Sequence, residues 1–481
     1  MNVKKIFEKN LTKYKQMSPV AKASIALVLV KFLQKGISMI SGPIFTRIMP
    51  MDEYGIVSTF VSWQSVLYIV FTLNMAAGVF NNGMMEFKDD RDGFSYSIMC
   101  LANFVTVCWV SIYCLFYQWL QPIVDMDILL MVILFLYCFV TPAYNYWIGR
   151  ERYVFRYKAS CTVMALVTLI STGLGIIIVL MLPDDLKAEG KIIATEIPAI
   201  AVGAFFTIKL IIENRKKKIT KYWKYAFCFN APLLVHYLSM YVLSSSDRIM
   251  ITRLVGSSDT AIYNVAYTVA SIILIFEQSV DASYAPWVYQ KMENNEYKSI
   301  DKRGQQIVIF FGGATLLCAL FAPEIIGILA PESYSSGVYV VPAVAASVFF
   351  TTLYSLFMRI ELYCKKTSII TIATVLAALI NIVLNFIFIP IFGFVAAGYT
   401  TLISYVFLSV FHGFNLYRIG LGKVYNMRNI IILSIGVLLA TLLINVFYGY
   451  TLIRYFCIAV LVVIAAINRK KIMSLLKKPQ K

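Results

Sequence analysis

Long apolar runs alternate with short polar turns from about residue 24 to residue 467. A helix needs about 20 mostly apolar residues to cross the roughly 30 Å hydrocarbon core of a bilayer. Runs of this length recur along the chain, so the pattern predicts an all-α integral membrane protein with about fourteen transmembrane helices. The predicted spans are 24–48, 54–80, 95–119, 127–148, 158–182, 191–212, 226–252, 260–285, 305–330, 337–358, 368–389, 394–417, 428–447 and 449–467.

Lysine and arginine are concentrated in every second turn between these spans. One set of turns, together with the two termini, holds 32 of them, and the opposite set holds Lys187, Lys191 and Arg454. Short positively charged loops stay on the cytoplasmic side, so both termini are predicted to be cytoplasmic. The charged first 20 residues contain no apolar segment before a small-residue cleavage site, and no removable signal peptide is predicted.

Composition agrees with a membrane protein, since 60% of the 481 residues are hydrophobic and only 14% are charged. The net charge of +18 lies mostly in juxtamembrane turns, where it sets topology and contacts anionic lipid, so nucleic acid is not expected as a partner. The nine cysteines lie largely in apolar runs without a CxxC pair, and there are two histidines. We therefore predict no metal site, cofactor or catalytic residue.

A weak internal repeat relates the two halves of the chain. At an offset of 206 residues, Thr46-Arg47 aligns with Thr252-Arg253, and the Pro- or Gly-rich turns near residues 183 and 390 align at a slightly larger offset. An offset of six spans predicts two parallel, pseudo-symmetric six-helix bundles followed by two extra C-terminal helices. The predicted divisions are 1–222, 223–424 and 425–481, the last ending in a basic cytoplasmic tail.

Ionisable residues inside spans are costly and are candidates for function. The positively charged set is Lys31, Lys35, Arg47, Arg248 and Arg253. Simpler roles stay open: Lys31 can snorkel to the cytoplasm, Arg47 and Arg253 can anchor helix ends, and Arg248 can pair with an acidic neighbour. A cationic central cavity formed by these residues would attract an anionic cargo and repel the organic cations that drug-efflux pumps carry.

Acidic residues within the spans are candidates for ion coupling. Asp247 lies eleven residues after His236, which places both on one face of the seventh span, and Glu277 and Asp281 are one turn apart on the eighth. Asp247, Glu277 or Asp281 could bind a proton or a sodium ion, His236 is a further candidate for ion coupling, and the membrane potential alone could also drive transport. Asn381 and Asn385 are also one turn apart, and we expect them to form hydrogen bonds between helices.

Three segments resemble one family of transporters. "KGISMISGPIFTRIMPMDEYGIVSTF", "LSSSDRIMITRLVGSSDTAIYNVAY" and "NIVLNFIFIPIFGFVAAGYTTLISY" are similar to the first, seventh and eleventh-to-twelfth helices of the Wzx-type polysaccharide transporter flippases. These flippases belong to the multidrug/oligosaccharidyl-lipid/polysaccharide exporter superfamily. The chain departs from the family pattern at Thr260-Ala261, where a glycine is common.

The resemblance implies a bacterial cytoplasmic-membrane flippase that moves undecaprenyl-pyrophosphate-linked oligosaccharide repeat units to the outer leaflet by alternating access. It assigns Arg47, Asp247, Arg248 and Arg253 to the site, with the basic cavity holding the pyrophosphate, and implies a polysaccharide polymerase and export machinery as partners. A lipid II-type flippase and a cation-coupled multidrug antiporter of the same superfamily remain alternatives. A membrane polymerase or ligase is disfavoured because the longest outer loop, "PDDLKAEG", has only eight residues and offers no nucleophile–base set.

The predicted topology is testable by cysteine labelling in intact cells. In a variant without the native cysteines, a single cysteine at position 186 should react with a membrane-impermeant maleimide, because that turn is predicted to be outside. A cysteine at position 216 should react only after the cells are permeabilised. Labelling at 216 in intact cells would contradict the orientation.

Overall fold

The computed structural model describes residues 19–154 and 156–469, and every long regular element in these ranges is an α-helix. The described residues form fourteen long helices. They are α1 (Pro19–Ile48), α2 (Met51–Thr72), α3 (Arg91–Leu115), α4 (Ile128–Tyr153), α5 (Tyr157–Met181), α6 (Lys187–Asn214), α7 (Trp223–Leu254), α8 (Ser257–Glu293), α9 (Tyr297–Leu320), α10 (Val341–Tyr363), α11 (Thr367–Phe392), α12 (Phe394–Arg418), α13 (Met427–Phe447) and α14 (Thr451–Ile467).

The prediction of fourteen apolar helices is confirmed. Among the described residues, thirteen helices are long and apolar enough to cross a membrane, and α14 is a shorter apolar helix of 17 residues. The chain is therefore a multi-pass membrane protein. The predicted N-terminal cytoplasmic segment, except its last two residues, and most of the basic tail lie outside the described residues.

Two predicted spans end earlier than the apolar pattern indicated. The second span, predicted to reach residue 80, ends at Thr72, because Leu73 and Asn74 adopt positive φ values of 52° and 46° that a right-handed helix does not allow. The ninth span, predicted to reach residue 330, ends at Leu320. Pro323, near the start of the short helix Ala322–Leu329, lacks the N–H that a continuous helix would need.

The helices divide between two compact units. The first contains the described part of Met1–Met49 together with Trp63–Tyr237, and the second contains Pro50–Ser62 with the described part of Leu238–Lys481. Both α2 and α7 therefore contribute to both units. The predicted limits of the two bundles and of the C-terminal helices stay predictions.

In the first unit, α4 packs along α6 and α5 packs against α1 and α6. Its core is rich in aromatic side chains, and the rings of Phe80 and Tyr146 stack with centroids 5.1 Å apart. At one end of the unit, Asp90 accepts hydrogen bonds from Lys217 at 2.7 Å and from Lys221 at 2.9 Å. Hydrogen bonds with Tyr222 and Asp90 raise the pKa of Lys221 to about 12, so its charge persists at neutral pH.

In the second unit, α10 is the central helix. Ten consecutive residues, 341–350, are buried, and α8, α9, α12 and α13 all pack against it. A helix that is apolar on all sides is stable only when neighbours cover every face, and these four helices provide that cover.

The two C-terminal helices pack on the second unit, and a buried charge fixes the last one. Arg454 of α14 is 5% exposed and donates to both carboxylate oxygens of Glu324, at 2.6 and 2.7 Å. Burial alone would raise the pKa of Glu324, but hydrogen bonds from Arg454 and Tyr455 outweigh it and the pKa lies below its usual value. Arg454, which the charge count placed outside, thus has a structural partner.

Gly55 permits a close contact within the second unit. A Cβ at this position in α2 would overlap the carbonyl oxygen of Ser257 in the first turn of α8. Nearby, the hydroxyls of Thr59 and Thr252 lie 2.5 Å apart, so the start of α2 packs tightly against this corner.

We expect Gly55→Ala to lower the thermal unfolding temperature of the purified protein. The added methyl must push two backbones apart, which costs about 1–3 kcal/mol. Gly313→Ala in α9 is the matched control, because nothing lies within 4 Å of its Cβ position and alanine is the better helix former. Equal melting temperatures for the Gly55 variant and the wild type would contradict the packing.

Candidate functional site

The second unit contains a buried carboxylate whose hydrogen-bond donors are all neutral. Asp247 of α7 has no exposed surface. Its Oδ2 accepts hydrogen bonds from the hydroxyls of Tyr263 at 2.6 Å and Thr401 at 2.7 Å, and its Oδ1 accepts from the amide of Asn385 at 2.7 Å. The three donors come from α8, α12 and α11, so one carboxylate joins four helices.

A second layer of hydrogen bonds holds these donors in place. Asn381 donates to Thr401 at 3.1 Å and accepts from Asn385 at 3.2 Å, while Thr400 donates to the side-chain oxygen of Asn385. The expected hydrogen bonding of Asn381 and Asn385 between helices is thus confirmed. All four side chains are at most 2% exposed, and a buried polar network is stabilising only when every member is satisfied, as these are.

Arg248, the next residue of α7, also has neutral partners. Its Nε donates to Asn264 at 2.9 Å, a terminal nitrogen donates to the carbonyl of Ser244 at 3.1 Å, and the guanidinium lies 4.3 Å from the ring centroid of Tyr267. The sequence left open a pairing of Arg248 with an acidic neighbour, and the structure gives amide, carbonyl and aromatic partners instead. These contacts orient its positive charge, and Arg248 forms no salt bridge with the residues that the structure describes.

The other predicted cationic residues lie on helix surfaces. In the first unit, Lys31, Lys35 and Arg47 are exposed on α1, and Arg47 also donates to the carbonyl of Pro43 at 2.9 Å. In the second unit, Arg253 is exposed in the last turn of α7. The structure thus places these residues in two units described separately, and their sharing of one cavity stays a prediction.

The remaining candidates for ion coupling differ in their surroundings. Asp281 forms a two-contact salt bridge with Arg359 of α10, which gives its charge a structural partner. Glu277 is 5% exposed and lines a small cavity with Asp281 and Ser355. His236 lies in the part of α7 that belongs to the first unit and is half-buried. Coupling roles for all of these residues stay predictions.

One buried polar cluster was missed by the sequence reasoning. Glu361 and His412 are both fully buried, with His412 Nδ1 2.6 Å from the carboxylate, and Asn415 donates to the same carboxylate at 2.7 Å. His412 and Asn415 lie within one turn on α12, and that spacing was the available signal. The neutral partners Tyr263, Asn264 and Thr401 were also missed, because single uncharged polar residues in a span are common.

The chain is similar to known proteins in both sequence and structure. The family model described as "Polysaccharide biosynthesis protein" matches residues 20–279, and the MatE model matches residues 232–387. The "Probable low-salt glycan biosynthesis flippase Agl15" of Haloferax volcanii is 25% identical over 242 residues, which are 48% of this chain and 50% of that protein. The chain spans about half the length of the curated relatives it matches.

Two solved structures share the fold. A structure described as "Lipid II flippase MurJ, inward closed conformation" superposes with a TM-score of 0.66 at 14% identity, covering 93% of this chain and 100% of the other. An inward-facing multidrug resistance MATE family transporter of the MOP superfamily superposes with a TM-score of 0.55 at 13% identity, covering 83% and 99%. At such identities the likeness establishes the fold alone.

The sequence match and the fold lead to the same assignment. The "Polysaccharide biosynthesis protein" model covers more than half of the chain, including α1, α2 and the segment of α7 that carries Asp247 and Arg248. The fourteen-helix fold is shared with both of these solved structures. The chain is therefore a member of the polysaccharide biosynthesis protein family.

Proposed function

We propose that this protein is a flippase that moves undecaprenyl-pyrophosphate-linked oligosaccharide repeat units from the inner to the outer leaflet by alternating access. The observation that carries the proposal is Arg248, a guanidinium within a membrane helix that neutral groups hold in place. Family membership and the match to a probable glycan biosynthesis flippase support the same class of cargo.

A pyrophosphate that enters a membrane protein loses water and needs charged donors in exchange. Arg248 meets this need because its contacts with Asn264 and Ser244 orient it and leave its charge available. The exposed Lys31, Lys35, Arg47 and Arg253 add positive charge at the predicted spans one and seven. A cationic drug would be repelled by the same charges, which disfavours the multidrug antiporter.

Asp247 is the proposed coupling residue. The hydrogen-bond donors of this buried carboxylate are all neutral, and a bound proton or sodium ion would neutralise it. Because the carboxylate joins α7, α8, α11 and α12, its neutralisation would alter the hydrogen bonds that fix these helices. This coupling gives the ion a physical means of shifting the balance between transporter conformations. Glu277 is the second candidate.

The cargo can be identified in cells that lack the gene. The proposal predicts that an undecaprenyl-pyrophosphate-linked oligosaccharide accumulates on the inner leaflet and that its polymer is lost from the surface. Accumulation of lipid II would favour the lipid II-type alternative instead. Unchanged levels of all lipid-linked glycans would contradict flippase activity towards them.

Replacement of the proposed phosphate ligands should reduce export. We expect Arg248→Ala and Lys35→Ala each to lower polymer export about tenfold or more, because a hydrogen bond to a charged group contributes about 1.5–3 kcal/mol. Arg248→Lys should be partly tolerated, since lysine keeps the charge without the planar fork. Arg418→Ala, which removes an exposed arginine at the end of α12, is the control and should export normally.

Membrane levels of each variant must be measured beside export. If Arg248→Ala and Lys35→Ala both reach wild-type levels and export polymer at the unmutated rate, the proposed phosphate site is wrong.

The coupling proposal predicts different effects for substitutions of three acidic residues. Asp247→Asn should fold, because an amide can still hydrogen-bond to the neighbouring hydroxyls, but its transport should no longer depend on a proton or sodium gradient. Asp247→Leu should melt at a lower temperature, because it leaves three buried donors unpaired at about 1–3 kcal/mol each. Asp281→Asn should lower stability by breaking the Arg359 pair and keep gradient dependence in the remaining transport. Full gradient dependence in Asp247→Asn, with its loss in Glu277→Gln, would move the coupling site to Glu277.

A further inference from the structure

A cavity of about 570 Å³ opens at one end of the first unit. It lies where α3 begins, α4 ends, α5 begins and α6 ends, so its rim is formed by helix termini. Its volume is in the range of small-molecule binding sites. In the predicted topology this end of the unit faces the cytoplasm.

The charged side chains that line the cavity are four cations and three carboxylates, and two of the cations are unpaired among the described residues. Of the seven ionisable side chains of Asp, Glu, Lys and Arg that line the cavity, five are committed to one another. Arg150 contacts Asp92 at 2.5 Å and Glu151 at 3.2 Å, and Lys209 lies 3.9 Å from Glu213. The other two, Arg156 and Lys158, are exposed and have no salt-bridge partner in the described part of the chain.

The start of α5 adds a second attraction for an anion. Tyr157, Lys158 and Ala159 form its first turn and line the cavity, and the residue before them, Arg156, provides no side-chain cap. The first N–H groups of a helix have no partner within the helix and carry partial positive charge. An anion in the cavity would therefore meet both the two unneutralised side chains and the end of a 25-residue helix.

Aromatic side chains and an apolar helix face complete the site. Tyr146, Trp147 and Phe206 also line the cavity, with the rings of Trp147 and Phe206 stacked at 4.2 Å, and the buried hydroxyl of Tyr146 has no hydrogen-bond partner among the described residues. Beside the rim residue Lys209, α6 exposes Phe205, Ile208 and Ile212 by 61%, 58% and 62%. An anion bound at this rim would have an exposed apolar helix face next to it, which suits a ligand with a hydrocarbon chain.

We propose that this cavity binds the phosphate group of a membrane lipid. Arg156, Lys158 and the first turn of α5 hold the phosphate, and the hydrocarbon chain lies along the exposed face of α6. The proposal does not depend on the transported cargo, because a bulk anionic phospholipid and a polyprenyl phosphate present the same group. Basic pockets between membrane helices on the cytoplasmic side are a general way of binding lipid headgroups.

Native mass spectrometry of the purified full-length chain can test the proposal. The probes are dioleoyl phosphatidylglycerol, undecaprenyl phosphate and inorganic phosphate, each titrated in detergent. The variant Arg156→Gln/Lys158→Gln removes the two unpaired positive charges, and Ala159→Trp fills the mouth of the cavity without a change of charge. The control is Lys216→Gln/Lys218→Gln, which removes two exposed lysines from the segment that follows α6 in the same unit.

We expect both cavity variants to weaken binding of at least one lipid phosphate about tenfold, and the control to stay within twofold of the wild type. Loss confined to undecaprenyl phosphate would identify a site for a polyprenyl carrier, and loss of both lipids would identify a general anionic lipid site. Either result supports the proposal. Equal weakening in the control, unchanged binding in both cavity variants, or displacement of the lipid by an equal concentration of inorganic phosphate would overturn it. Thermal unfolding of each variant distinguishes lost binding from lost folding.

Discussion

The burial of the Asp247 carboxylate is the constraint on which the second unit depends. A carboxylate without water needs several donors, and here two hydroxyls and one amide supply them from three other helices. Each donor is in turn held by Asn381, Thr400 or the helix that carries it. The positions of four helices are therefore tied to the charge state of one residue, and this link makes Asp247 suitable for coupling ion binding to a conformational change.

The structure separates charges that stabilise the fold from charges that are available to a ligand. Asp281 with Arg359 and Glu324 with Arg454 are paired at short range, and removal of one partner would leave the other uncompensated. Arg248, by contrast, donates its hydrogen bonds within the described residues to neutral groups. The sequence alone did not distinguish charged span residues that form salt bridges from those that do not. The structure makes this distinction, and it favours a functional role for Arg248 over such roles for the paired residues.

The apolar pattern predicted the fourteen helices because length and hydropathy are local properties of the chain. It predicted ends for α2 and α9 that lie too far along the chain, because the sequence remains apolar beyond both helices. Positive φ values at Leu73 and Asn74 end α2, and Pro323 follows the end of α9. For the candidate site, the sequence predicted the charged residues but not the neutral residues that contact them. Its partners lie 16, 138 and 154 residues from Asp247, and nothing in a single sequence indicates that a threonine or asparagine at such a separation contacts a given carboxylate.

The central claim is that this chain moves a lipid-linked oligosaccharide across a bilayer by means of positive charges on its membrane helices. The most direct test is a flipping assay in proteoliposomes that contain the purified protein and an undecaprenyl-pyrophosphate-linked oligosaccharide. Access of a membrane-impermeant periodate reagent to the sugar is followed over time. The account predicts that the protected pool becomes accessible faster than in protein-free liposomes. The same rate in both preparations would contradict it.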